Sequence, residues 1–174
     1  MRVEVGRMYQ VGDWIFYGNI GACQVMELSE RRIPGMDKAV LYYTLLPLNG
    51  SCSISTPVLN GKVFMRPLIS KEQADALIDT IPDIDAEAYH NPVLRQLSDH
   101  YETALNSHDC LSLIKMTMSI HAKKEVAASQ KKKLGAVDEK FMKKAEDLLF
   151  GELAVALGIK KEEVPVYIGT RLRK

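Results

Sequence analysis

Long hydrophobic runs are missing from this 174-residue chain. Its apolar stretches reach only a handful of residues, against the roughly 20 that a spanning helix needs, so no membrane span is expected. No charged start leads into an apolar core and a small-residue cleavage site, so no secretion signal is expected either. Cysteine is scarce: Cys23, Cys52 and Cys110 are an odd count, widely spaced, with no C-x-x-C pair. That pattern points to buried free thiols in a reducing cytoplasm rather than to a disulfide framework or a zinc site. There is a single tryptophan, Trp14, and aromatic residues make up 7% of the chain. Disordered and fibrous classes are excluded as well, because 47% of the residues are hydrophobic and 26% charged, ordinary proportions for a globular protein.

Catalytic signatures are also lacking. No G-x-x-x-x-G-K-[ST] or G-x-G-x-x-G loop is present to cradle phosphate, and there is no G-x-S-x-G elbow or H-E-x-x-H helix. The four histidines (His90, His100, His108, His121) do not form the paired, repeated spacing of zinc ligands. A metal-dependent hydrolase built on His108, Cys110 and His121 is the catalytic alternative, and the H-x-C spacing at 108–110 does not carry it. His121 reads as a helix-edge residue. His108 and Asp109 read as helix-start residues, with Ser107 a competing cap. No enzyme activity, cofactor or metal is expected.

What is present is polarity of two kinds. The net charge of +1 hides an acidic middle, where residues 71–114 carry nine Asp/Glu against two Lys/Arg. It also hides a basic stretch, where residues 115–144 carry nine lysines against three acids. Such a chain can offer a basic surface to phosphate while remaining neutral overall. Secondary-structure patterning is polarised too. Residues 8–67 alternate in the manner of strands, at 14–17, 22–28, 40–46, 52–56 and 62–65, separated by turn sequences at 11–13, 18–21, 34–37, 48–50 and 59–62. Five short strands in so few residues predict a small, strongly bent barrel, with Ile15 and Tyr17 on the side opposite Trp14 and Phe16.

From Ser70 the period changes to that of helices. Ser70 and Gln73 have the spacing of a capping box, with Ala74, Leu77 and Ile78 following. Pro82 and the acidic stretch 82–92 then break the pattern, and helices are predicted over about 92–106, 109–128 and 137–157. Gly158 is placed to end the last of these, and a short turn is expected over 161–168. Phe141, Ala145, Leu148, Leu149, Leu153 and Ala156 share one arc of the 137–157 helix, opposite Lys140, Lys143, Lys144 and Asp147. Glu152 falls inside the apolar arc and requires a donor. Helix 109–128 has two apolar stripes and is expected to be contacted from both sides. The fold class is therefore α+β in two domains: a small N-terminal β-barrel over 8–69, then an all-α bundle over 92–174. Residues 1–7 are an extension and 70–91 a helix with an acidic linker.

Two surfaces stand out as candidate interfaces. Lys123, Lys124, Lys131, Lys132 and Lys133 gather at one helix end and the connection after it, followed by Lys140 and Lys144 on the next helix. Together they could neutralise several backbone phosphates. No arginine-rich base-reading helix accompanies them, so contact with nucleic acid would be to backbone and shape. In the barrel, Arg31 and Arg32 precede the Pro34-Gly35 turn, and the short strand Ile54, Ser55, Thr56 could serve as an edge offered to a partner strand.

The segments YQVGDWIFYGNIGACQVMEL (9–28) and CSISTPVLNGKVFMRPLISKEQA (52–74) resemble the RNA-polymerase-interacting domain of the CarD/CdnL family, a module also found in the transcription–repair coupling factor. ALNSHDCLSLIKMT (104–117) and VDEKFMKKAEDLLFGELAVALG (137–158) resemble the same family's helical half, so that the likeness spans roughly residues 8–168. The resemblance implies a non-catalytic, monomeric, cytoplasmic transcription regulator. Its barrel would bind the polymerase β subunit, and its helices would touch promoter DNA in the minor groove at the upstream edge of the bubble without sequence specificity. Arg31 matches a basic residue at the polymerase contact, and Lys144 matches a basic position in the DNA-facing helix. Two positions depart from the pattern. Ser55 stands where relatives often bear arginine, and the family's wedge tryptophan falls here on Leu94, followed by Arg95. Leucine can wedge a base step but lacks the stacking area of indole, which implies weaker or altered action on open complexes. The alternative reading is a protein-only adaptor whose helices never meet DNA.

Overall fold

The computed structural model describes residues 8–59 and 62–174. The expected 1–7 extension, and Asn60 and Gly61 of the expected 59–62 turn, lie outside the described residues. The class is α+β, a five-stranded antiparallel sheet followed by five α-helices among the described residues. By contacts the chain divides into two compact units, one ending at Leu68 and one running from Ile69 to Lys174.

The strands of the first unit are β1 (Trp14–Tyr17), β2 (Gly21–Arg31), β3 (Val40–Pro47), β4 (Ile54–Pro57) and β5 (Met65–Pro67). They are ordered β4-β3-β2-β1-β5, so the last strand returns beside the first. Register follows the apolar alternation: Ile15 lies opposite Cys23, and Val25 opposite Leu45. These four residues, with Tyr17 and Tyr43, form the buried cluster of this unit. Each aliphatic side chain removed from water there contributes about 1.5–3 kcal/mol. Burial also pushes the Cys23 thiol up to about 11, which keeps it protonated and unreactive. The opposite side of β1 is covered as well, since Phe16 is buried with the Arg66 guanidinium 4.4 Å from its ring centre, the two being cross-strand partners.

The register shifts between Val25 and Glu27, a bulge that leaves Met26 exposed and bends β2. Gly18, in the β1–β2 turn, has φ +46°, and a Cβ there would lie 2.9 Å from Val63 Cγ1. Both the backbone conformation and the close approach therefore call for glycine. Three strand boundaries differ from the sequence expectation. β2 continues to Arg31 because the first half of β3 pairs with it. β4 starts at Ile54 rather than 52. β5 is Met65–Pro67 rather than 62–65, because those are the residues that meet the four-residue β1.

The helices are α1 (Lys71–Asp79), α2 (Leu94–Leu105), α3 (Cys110–Ser129), α4 (Ala136–Leu157) and α5 (Val164–Leu172). The capping box at Ser70 is formed: Ser70 Oγ accepts from Gln73 N at 3.1 Å, and Ser70 N donates to Gln73 Oε1 at 2.8 Å. Asp109 caps α3, accepting from Ser112 N at 3.2 Å. Gly158 ends α4 in the left-handed region. α4 is the hub of this unit, touching α1, α2, α3 and α5, while α3 lies against α2 and α4. Its buried side includes Phe141, Ala145, Leu148, Leu149 and Leu153.

Two expectations change here. The final helix runs to Leu172, well past the short turn expected: Pro165 is tolerated in its first turn, where a missing N–H costs nothing, and Tyr167 and Arg171 farther along are held by Asp75 and Asp79 of α1. α1, read from sequence within a linker segment, packs on α4 and α5 as part of the helical unit. The acidic stretch after it is pinned too. Ser119 Oγ donates to the Glu87 carbonyl at 2.7 Å, and the Tyr89 and His100 rings stack at 3.7 Å with 14° between planes.

Candidate partner and nucleic-acid interfaces

β4 is an edge of the sheet. Its pairing with β3 sets Ile54 opposite Leu45, Ser55 opposite Thr44, Thr56 opposite Tyr43 and Pro57 opposite Tyr42. Val58 N donates to the Leu41 carbonyl at 2.9 Å. By the two-residue period of a strand, Thr56 and Ile54 also turn their backbone groups toward β3, whereas Ser55 and Pro57 turn theirs outward. Proline is tolerated at this place because its nitrogen faces away from the ladder. Among the described residues no strand pairs with this edge, which turns the N–H and C=O of Ser55 outward, where an added strand could meet them.

Side chains sort the same way. Ser55 is exposed, whereas Ile54 packs on the core cluster and Thr56 is only 2% exposed. Within the expected contact set, the Thr56 side chain points inward and Ile54 is partly buried on the core, so Ser55 is the residue of the three whose side chain is exposed. Arg31 reaches across from the end of β2. Its Nη2 donates to Ser55 Oγ at 3.0 Å, and its guanidinium lies 5.0 Å from the Tyr42 ring centre. Three strands thus assemble a charged, planar group beside this edge, with Arg32 exposed next to it.

In the helical unit the lysines separate into three kinds. Lys123 is a correction. Its Nζ lies 2.9 Å from Asp138 Oδ1, its side chain is only 14% exposed, and Asp138 also accepts from the Tyr101 hydroxyl at 2.6 Å. This ammonium joins α3 to α4 and α2, so it is less available than the other candidate phosphate-binding lysines. Lys140 and Lys144 are exposed at their heads, but their Nζ atoms lie 5.7 and 5.5 Å from the centre of the buried Phe141 ring. Both ammonium groups thus lie over the face of a core aromatic ring, a cation–π placement at the surface. Lys124, Lys131, Lys132 and Lys133 are exposed.

The end of α3 explains part of this cluster. Lys131 N donates to the Ala128 carbonyl at 3.0 Å and Lys132 N to the Ala127 carbonyl at 2.8 Å, the pattern of a Schellman ending. Cations here face the negative end of the helix dipole. Lys131 itself has φ +56°, where glycine is usual. Lys131→Gly should therefore raise stability by about 0.5–1 kcal/mol in urea unfolding, and an unchanged or lowered midpoint would argue against strain at this position.

Leu94 and Arg95 open α2, where Leu94 is 64% exposed beside the exposed Val93. Asn91, which the sequence reading missed, organises this start: its Oδ1 accepts from Val93 N at 2.9 Å, and its Nδ2 donates to Gln96 Oε1 at 3.0 Å and to the Tyr89 hydroxyl at 3.2 Å. An asparagine two residues before the residue that caps a helix is the available signal. An exposed leucine at a braced helix start can insert into an apolar or stacked surface.

The remaining polar residues are structural in placement. Glu152 is fully buried and accepts from the Cys110 thiol at 3.0 Å, in keeping with its need for a donor. His121 Nε2 lies 3.6 Å from Glu146 at the helix edge. Among the described residues no group of three or more His, Cys, Asp or Glu is arranged to hold a metal ion, and no helix is long and apolar enough to cross a membrane. Compared with known proteins, the chain matches no family model, and no curated protein is found similar to it.

Proposed function

We propose that the chain is a non-catalytic transcription regulator of the CarD/CdnL kind, acting in the cytoplasm as a monomer. On this reading the first unit is an SH3/Tudor-like barrel that binds the RNA polymerase β subunit, and the helical unit leans on promoter DNA. The strand order, with β5 returned beside β1, and the bulge at Met26 support the barrel assignment. The observation that carries the function is the edge of β4, unpaired among the described residues, with Arg31 set beside it through Ser55 and Tyr42. An edge strand gives main-chain hydrogen bonds to a partner strand, and a flanking cation fixes its orientation.

The test is capture of polymerase by the full chain. Wild-type protein should retain the β subunit, and Arg31→Glu should weaken capture by at least about tenfold, the scale on which truncating an interface charge acts, with the thermal midpoint unchanged. Equal capture by both proteins would remove this face from the interface, and no capture by either would sink the polymerase reading. A protein-only adaptor is the second reading. The engagement of Lys123 by Asp138, and the seating of Lys131 to Lys133 at the end of α3, favour it, because both give lysines a role without DNA.

A further inference from the structure

The two shortest α-helices of the second unit, α1 and α5, are nine residues each. Helices of that length do not persist alone in water and depend on what they dock against. Apolar docking of α5 is thin: Val164 is its one buried residue, and Val166 is 71% exposed. Polar docking is dense by contrast. Arg171 Nε and Nη2 donate to the two carboxylate oxygens of Asp79 at 2.7 and 2.8 Å, a bidentate pair. Arg171 Nη1 lies 3.4 Å from Asp75, which also accepts from the Tyr167 hydroxyl at 2.6 Å. Asp75 and Asp79 are one helical turn apart on α1, and Tyr167 and Arg171 one turn apart on α5. The two helices are therefore fastened side chain to side chain over a matched pair of turns.

The place of α1 gives this contact its consequence. α1 begins two residues after Ile69, where the second unit starts. We infer that α5 is a clasp whose charged contacts to Asp75 and Asp79 add to the apolar seating of Ala74 and Ile78 in holding α1 onto the helical unit. Opening the clasp then weakens the hold on α1 and raises the fraction of chains in which α1 is released and the tether between the two units is longer. About 10 residues would be added to that tether, roughly 35 Å of reach if extended. Asp79 and Arg171 lie near the surface, so screening ions reach them and the clasp is sensitive to salt. Charge pairing holds the Asp79 carboxyl below its ordinary range and raises the Arg171 guanidinium, as expected of partners that stay ionised together. The inference does not depend on polymerase or DNA binding.

Hydrogen exchange on the full chain, read helix by helix, tests it. Raising sodium chloride from about 0.1 to about 1 M shortens the screening length from about 10 to about 3 Å. Amides of both α1 and α5 should then exchange about tenfold faster, while α3 and α4 keep their protection. Arg171→Met should give the same pattern at low salt, and the double reversal Asp79→Arg with Arg171→Asp should restore slow exchange relative to either reversal alone. Fast exchange in α5 with α1 unchanged would overturn the clasp, as would insensitivity of both helices to salt. Equal loosening of α3 and α4 in salt would overturn it too, by making these contacts part of the global fold.

Discussion

Replacing Asp138 with alanine should lower the stability of the protein by about 3 kcal/mol, seen as a drop in the urea midpoint and a fall in Tm of roughly 6–12 °C for a chain of this length. The physical ground is that two other groups lose their partner at once. Asp138 is 4% exposed and takes the Tyr101 hydroxyl at 2.6 Å and the Lys123 ammonium at 2.9 Å. Removing the carboxylate strands a part-buried positive charge and a buried hydroxyl between α2, α3 and α4. Breaking one member of such a pair costs more than the pair contributes, because the survivor remains out of water. Asp138 also lies in the first turn of α4, where negative charge faces the positive end of the helix dipole, so the alanine loses that interaction too. The Lys123→Met single variant should also be destabilising, because it leaves the Asp138 carboxylate buried without its cation, but by less than Asp138→Ala, since the Tyr101 hydroxyl still donates to it and the apolar stem is kept. If Asp138→Ala unfolds at the wild-type midpoint, the three residues are neighbours without being a network.

The same network sets a pH dependence. Burial raises the Tyr101 hydroxyl well above its ordinary value, and the hydrogen bond and charge of Asp138 raise it further. Below about pH 10 the tyrosine is neutral in both folded and unfolded chains, and its contribution is fully present. Above that value the unfolded chain ionises while the folded one does not, so stability is lost as pH rises, by at most about 1.4 kcal/mol per pH unit from this group. Tyr101→Phe should be less stable than wild type at pH 7, and the gap should narrow above pH 10. Parallel curves through that range would assign the alkaline loss to other groups.

Local signals in the chain were sufficient for much of the fold. The Ser70 and Gln73 pair, the Asp109 cap, the Gly158 ending and the period of α4 are each written within a few residues, and each is formed. Where the reading failed, the deciding partner was distant. Ser29 to Arg31 look too polar for a strand, and they are one because Val40 to Tyr42 lie opposite them. Thr56 reads as an exposed edge residue until its register opposite Tyr43 turns it inward. α1 looked like part of a linker because the residues that hold it, Tyr167 and Arg171, come 92 positions after their partners. Lys123 differs from Lys124 in nothing the sequence displays, and only Asp138, 15 positions away, separates a structural ammonium from a free one.

That separation decides how the basic surface has to be tested. Lys124, Lys131, Lys132, Lys133, Lys140 and Lys144 remain as the exposed set, and if they meet DNA backbone, each phosphate neutralised adds about 0.9 to the salt slope of binding. Removing all six charges should therefore flatten the slope by up to about 5, and should lower affinity at low salt by several orders of magnitude. The choice of replacement matters. Alanine at Lys140 and Lys144 would also remove side-chain bulk near Phe141 and confuse lost charge with lost packing, so methionine, which keeps an unbranched apolar stem, is the cleaner substitution there. Lys123→Met serves as the control, because its charge is spent on Asp138 and its loss should leave the slope unchanged. Binding to a forked promoter fragment, measured across a salt series with and without polymerase, separates the outcomes. A flattened slope in the sixfold variant and an unaltered one in Lys123→Met place the phosphate contacts on this set. Wild-type slopes throughout would make the lysines solvated cover on α3 and α4, and the adaptor reading, with the edge of β4 as its working surface, would stand in place of the DNA-contacting one.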